Sequence, residues 1–67
     1  MRIHSNVTDR TYRTSEMVYL LNPIQIAKYV KHGATIYDVL ENDGKLVVAF
    51  SRKETRHLYD QWQKREI

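Results

Sequence analysis

The stretch TIYDVLENDGKLVVAF, residues 35–50, decides the fold. Two runs rich in β-branched and aromatic residues flank Asn42-Asp43-Gly44, a pattern that predicts an antiparallel hairpin. A three-residue loop, Asn42 to Gly44 with Gly44 left-handed, pairs Glu41 with Lys45, Leu40 with Leu46, Asp38 with Val48 and Ile36 with Phe50. It places Ile36, Leu40, Leu46, Val48 and Phe50 on one face and Tyr37, Val39, Val47 and Ala49 on the other. A two-residue Asp43-Gly44 turn instead sets Tyr37 opposite Phe50 and Val39 opposite Val48. In both registers both faces are apolar.

Downstream of the hairpin, Ser51 and Glu54 form a Ser-x-x-Glu capping box that opens a helix from Arg52 to about Arg65. Thr55, Leu58, Tyr59 and Trp62 make its expected buried stripe, with Arg52, Lys53, Arg56, Asp60, Lys64 and Arg65 facing water. Upstream, Gly33 stops an earlier helix over 23–32. Asn22 caps that helix, Pro23 occupies its first position, and Ile26, Tyr29 and Val30 share a face opposite Gln25, Lys28 and Lys31. Before it, MVYLL, residues 17–21, reads as a short buried strand. The rival reading, a helical turn capped by Ser15, is disfavoured because Pro23 opposes helical geometry at Asn22. Residues 1–14 carry Arg2, Arg10 and Arg13 against Asp9 with no sustained period, and are expected to be a mobile basic arm. The expected fold is α+β, a single domain over 15–67 in the order β-α-β-β-α. Its three-stranded sheet carries both helices on one face.

At 67 residues and 42% hydrophobic, the chain has room for one small core and little for a deep substrate cavity. It has no cysteine, which removes thiolate zinc sites and thiol nucleophiles, and P-loop, G-x-G-x-x-G, G-x-S-x-G and HExxH motifs are all absent. His4, His32 and His57 are not spaced as a metal pair. No catalytic residue, metal, cofactor or small-molecule substrate is therefore expected. Asp38, the one acid inside a β run, is either a general base of raised pKa or a structural carboxylate taking a backbone amide or facing the arm's arginines. The structural role is favoured because no second acid or nucleophile is in view. The longest apolar run, Met17 to Leu21, is far short of the roughly 20 residues needed to cross a bilayer, and MRIHSNVTDR lacks a signal-peptide core. The expected setting is the cytoplasm, with no membrane partner.

Two interaction classes remain. The second hairpin face, Tyr37, Val39, Val47 and Ala49, is more apolar surface than two short helices can cover, which points to a protein partner or a homodimer. Alternatively the folded arm, through Ile3, Val7 and Tyr12, covers it. The net charge of +3 is concentrated at the two ends of the chain, which makes Arg10, Arg13, Arg52, Lys53 and Arg56 candidate nucleic-acid contacts. Protein binding or self-association without catalysis is the first expectation, and phosphate-backbone binding the alternative.

LLNPIQIAKYVKHGA and KLVVAFSRKETRHLYDQW together resemble a group of small proteins encoded by phages and prophages of Gram-positive bacteria, the group of the PBSX prophage protein XtrA. The resemblance spans roughly residues 17–67 and rests on Asn22-Pro23, Tyr29 to Gly33, Lys45-Leu46-Val47, Glu54-Thr55, Leu58-Tyr59-Asp60 and Trp62. These are caps, turns and core positions. The resemblance thus implies a prophage accessory protein acting on a macromolecular partner in a host bacterial cell, and it implies no chemistry.

Overall fold

The computed structural model describes residues Met1–Ile67 as a small α+β domain with two sheets. The chain runs β1 (Arg2–His4), β2 (Thr11–Arg13), a 3-10 turn (Thr14–Glu16), β3 (Met17–Leu20), α1 (Pro23–Lys31), β4 (Ile36–Asn42), β5 (Lys45–Ser51) and α2 (Arg52–Gln63). β5 is the central strand of an antiparallel sheet ordered β3-β5-β4, and β1 pairs with β2 in a separate two-stranded sheet. The expected single-sheet arrangement is corrected by that second sheet. MVYL is a strand, as read, but an edge strand and not a buried one: only Met17 is buried, while Tyr19 and the following Leu21 are exposed.

The β4–β5 register combines the two expected from sequence. The turn has two residues, Asp43 (φ 52°) and Gly44 (φ 75°), the left-handed pair of a type I′ hairpin, so Asn42 faces Lys45 and Val39 faces Val48. Tyr37 is then inserted as a bulge, which restores Ile36 opposite Phe50 and leaves Asp38 opposite Ala49. Cross-strand partners share a face, so Ile36 and Val39 lie on the side of Phe50 and Val48, while Asp38 lies on the side of Ala49.

Both helices cover the first side. Ile26 and Tyr29 of α1 and Leu58 of α2 pack with Val48 and Phe50, flanked by Val18, Leu20, Ile36 and Trp62. Asn22 Oδ1 accepts from the amides of Ile24 and Gln25 at 3.0 and 3.3 Å, fixing the start of α1. Gly33 (φ 90°) ends the helix, the Ala34 amide reaching the Tyr29 carbonyl and the Gly33 amide that of Val30. The buried faces differ from expectation at single positions. Val30 is exposed, while Gln25 is buried and donates from Nε2 to Tyr29 Oη at 3.1 Å. Of the expected stripe on α2, Tyr59 is 52% exposed and Trp62 only half-buried. The capping box is half formed: Ser51 Oγ accepts from the Glu54 amide, but the Glu54 carboxylate accepts from the amide of Thr35 at 2.7 Å. Glu54 thereby ties the α1–β4 loop to α2.

The second side of the sheet is covered by the chain's own first residues. Residues 1–14, expected as a mobile arm, form the β1–β2 hairpin, whose Tyr12 packs with Met17 and Ala49 alongside Ile3 and Tyr37. Ser5 and Tyr12 are buried, Val7 exposed. No helix is long and apolar enough to cross a membrane.

Candidate functional site

Two clusters of polar side chains merit weighing as sites, one buried and one exposed. The buried one centres on Asp38, which is 4% exposed. Its Oδ1 accepts from Ser5 Oγ at 2.6 Å and from the Val39 amide at 2.9 Å, and its Oδ2 accepts from Tyr12 Oη at 2.7 Å. Ser5 Oγ in turn accepts from the amides of Val7 and Thr8, both at 3.1 Å, which shapes the β1–β2 loop. Thr8 Oγ1 donates to the carbonyl of Tyr37 at 2.7 Å, within the bulge. Burial pushes the Asp38 carboxyl up, but the hydroxyls of Ser5 and Tyr12 and the Val39 amide outweigh it and hold the group below the usual carboxylate range. The Tyr12 phenol moves the other way, raised by burial and by the Asp38 carboxylate beside it. A carboxylate with these three donors and a lowered pKa is a poor general base. It is a latch that holds the hairpin to the sheet, and its partners are hydroxyls and an amide, not arginines.

The expected protein interface disperses accordingly. Val47 and Ala49 are buried on the hairpin side, and Tyr37 packs on the Tyr12 cluster with the Arg10 guanidinium 5.8 Å from its ring centroid. Val39 lies on the opposite side, facing Val48. These four residues do not form one open apolar face.

The exposed cluster gathers most of the sequence-predicted cations. α2 begins directly after β5, so Ser51 caps the turn that carries Arg52 and Lys53, with Arg56 one turn further. Arg52 donates to the carbonyls of Ser15 and Met17 at 3.3 and 3.2 Å, which fastens this turn of α2 to the 3-10 turn and β3. A polar depression there is lined by Ser15, Glu16, Ser51, Arg52, Lys53 and Arg56. Glu16 also borders a neighbouring depression formed by Arg2, Thr11, Tyr12 and Arg13. Arg2 and Arg13 are direct cross-strand partners, an arrangement of like charges that destabilises a hairpin and that an anion between them would relieve. Among Arg2, Arg13, Arg52, Lys53 and Arg56 there is no ion pair, since the one ion pair in the molecule joins His4 to Asp9 at 2.9 Å. Glu16 is the only acid lining the two depressions.

Arg52 and Arg56 also border a third depression, an apolar groove of about 300 Å³ between the edge strand β3 and the two helices. Val18, Leu20, Tyr29, Thr55 and Tyr59 complete its lining. Of the five predicted cations, the structure brings Arg13, Arg52, Lys53 and Arg56 to this continuous surface and leaves Arg10 on Tyr37. Arg2 and the groove were missed from sequence, although the i, i+4, i+7 spacing of Arg52, Arg56 and Tyr59 already marks one helix face. Comparison with protein-family models, with curated proteins and with solved structures finds no match to this chain.

Proposed function

We propose that this chain is a non-catalytic interaction module that binds the phosphate backbone of nucleic acid through Arg2, Arg13, Arg52, Lys53 and Arg56. The observation that carries the reading is the convergence of these five unpaired cations on one surface with a single acid among them. Phosphates bound there would release counterions and would offset the facing charges of Arg2 and Arg13. An accessory protein of a prophage, as the sequence resemblance implies, fits such a role. The reading reverses the order of the two expectations, because the apolar face that argued for a protein partner is occupied by the chain's own hairpin. Protein binding or self-association keeps support in the exposed apolar side chains of Leu40 and Leu46 near the tip of the β4–β5 hairpin and of Leu21, Ile24 and Val30 before and along α1.

Fluorescence anisotropy with a labelled duplex of arbitrary sequence tests the proposal. Affinity should fall steeply between about 50 and 200 mM salt, with a log-log slope no steeper than about −4.5 for five cations at about 0.9 each. Arg13→Ala, Lys53→Ala and Arg56→Ala should each flatten the slope by about 0.9, and Arg10→Ala should leave it unchanged. Absence of binding at about 50 mM salt, or a slope indifferent to these three substitutions, would refute the proposal.

A further inference from the structure

We infer that the apolar groove beside Arg52 and Arg56 accepts an unstacked base, which makes single-stranded nucleic acid the preferred ligand of this surface. The inference rests on the backbone-binding reading and deepens it.

The groove is continuous with the cationic depression through Arg52 and Arg56, so a strand whose phosphates lie on the cations runs directly past its mouth. A duplex keeps its bases stacked inside and has nothing to place there, whereas a single strand presents base faces at every nucleotide. The walls suit such a face. Val18 and Leu20 contribute aliphatic surface from β3, and Tyr59 contributes an aromatic ring that is 52% exposed. Tyr59 stands at the edge of the buried stripe, between Thr55, which is 2% exposed, and the face of Arg52 and Arg56, so its ring is half open to the groove.

Spacing along α2 supports the same arrangement. Tyr59 follows Arg56 by three residues and Arg52 by seven, a rise of about 4.5 and 10.5 Å along one helix face, so a base on the ring has a guanidinium on its flank. Arg52 is held by the carbonyls of Ser15 and Met17 and supplies charge from a fixed position, while the Arg56 guanidinium makes no hydrogen bond or ion pair within the protein and is free to meet a phosphate. Thr55 Oγ1 already donates to the carbonyl of Ser51 at 2.8 Å. The groove therefore offers stacking area more than base-edge recognition, and sequence preference should be weak.

The test compares labelled oligothymidylate with a labelled duplex by anisotropy at fixed low salt, using the full chain. Oligothymidylate should bind more tightly than the duplex. Tyr59→Ala should weaken oligothymidylate about tenfold while leaving duplex affinity unchanged, and Tyr59→Phe should retain the parent affinity. Because Tyr59 is exposed, the thermal midpoint of both variants should match the parent. Equal affinity of the two ligands, or no loss with Tyr59→Ala, would overturn the single-strand inference while duplex binding with the predicted salt slope leaves the backbone reading standing. Failure of both ligands to bind would remove both. A Tyr59→Ala variant that changes oligomeric state in light scattering and leaves oligothymidylate affinity intact would assign the groove to a second copy of the chain, and would equally overturn the inference.

Discussion

The two sides of β5 solve the same packing problem by different physics. Val48 and Phe50 point to a side filled by helix residues, with Tyr29 set edge-on to Phe50 at a centroid distance of 5.5 Å and an interplanar angle of 65°. Val47 and Ala49 point to a side closed by a short hairpin whose central fastening is a buried carboxylate with two hydroxyl donors. The first side is held by apolar burial and shape, which tolerate repacking but are severely weakened by a cavity. The second is held by hydrogen bonds to one charge, which give a unique arrangement and depend on that charge being present. The two should therefore respond differently to mutation and to pH.

The largest effect is expected on the helix side. Phe50, wholly buried, is the centre of its cluster, and Phe50→Ala should cost about 3–5 kcal/mol. A chain of this length has only about 3–10 kcal/mol in total, so urea denaturation followed by Trp62 emission should show a variant at or near global unfolding. A smaller and more local loss is expected on the hairpin side. Asp38→Ala leaves the Ser5 and Tyr12 hydroxyls buried without their acceptor, a cost of about 2–4 kcal/mol. It should release residues 1–14 before the helix side melts, since no hairpin residue belongs to the Phe50 cluster.

Acid should reproduce that loss without mutation. The Asp38 carboxyl titrates lower in the folded chain than its ordinary 3.8, so its stabilising contribution is fully present above that value and lost as pH falls through the lowered one. The Tyr12 phenol, raised from its ordinary 10.0, contributes stability that is fully present below that value and lost as pH rises through the raised one. Across the interval between, the pair is a carboxylate facing a neutral phenol, and the contribution of this latch should be independent of pH there. Acid unfolding in which the helix side loosens before the hairpin would contradict this division.

The contrast also explains what could be read from the chain alone. The helix side announces itself through periodicity and punctuation: the Asn22-Pro23 start, the Gly33 stop, the Asp43-Gly44 turn and Ser51 are each local signals with local consequences. The hairpin side has no such signal. Ile3 and Tyr12 are nine residues apart among Ser, Thr and Asn, and β1 and β2 have three residues each, so their order comes from a carboxylate that is more than twenty residues away in sequence. Asp38 inside a β run was the visible trace of that partner, but its donors could not be named. The register was half legible for a related reason. Two turn lengths fit Asn42-Asp43-Gly44, and only the Tyr37 bulge allows Ile36 to face the helices while Asp38 faces the hairpin. The cationic surface is legible as a set of residues except for Arg2, while Arg10 stands apart from the other four because its place over Tyr37 depends on the folded hairpin.

Whether the hairpin occupies the second side of the sheet decides which surface is left for a partner, and amide hydrogen exchange of the chain at neutral pH measures this most directly. The Ser5 amide, bonded to the carbonyl of Arg10 at 2.8 Å, and the Val39 amide, bonded to Asp38 Oδ1, should both be protected, and both should lose protection in Asp38→Ala while the amides of β5 keep theirs. Exchange of the Ser5 amide at the rate of an unstructured chain, in a protein whose β5 amides are protected, would contradict the account. It would return Tyr37, Val47 and Ala49 to the solvent as an open apolar face.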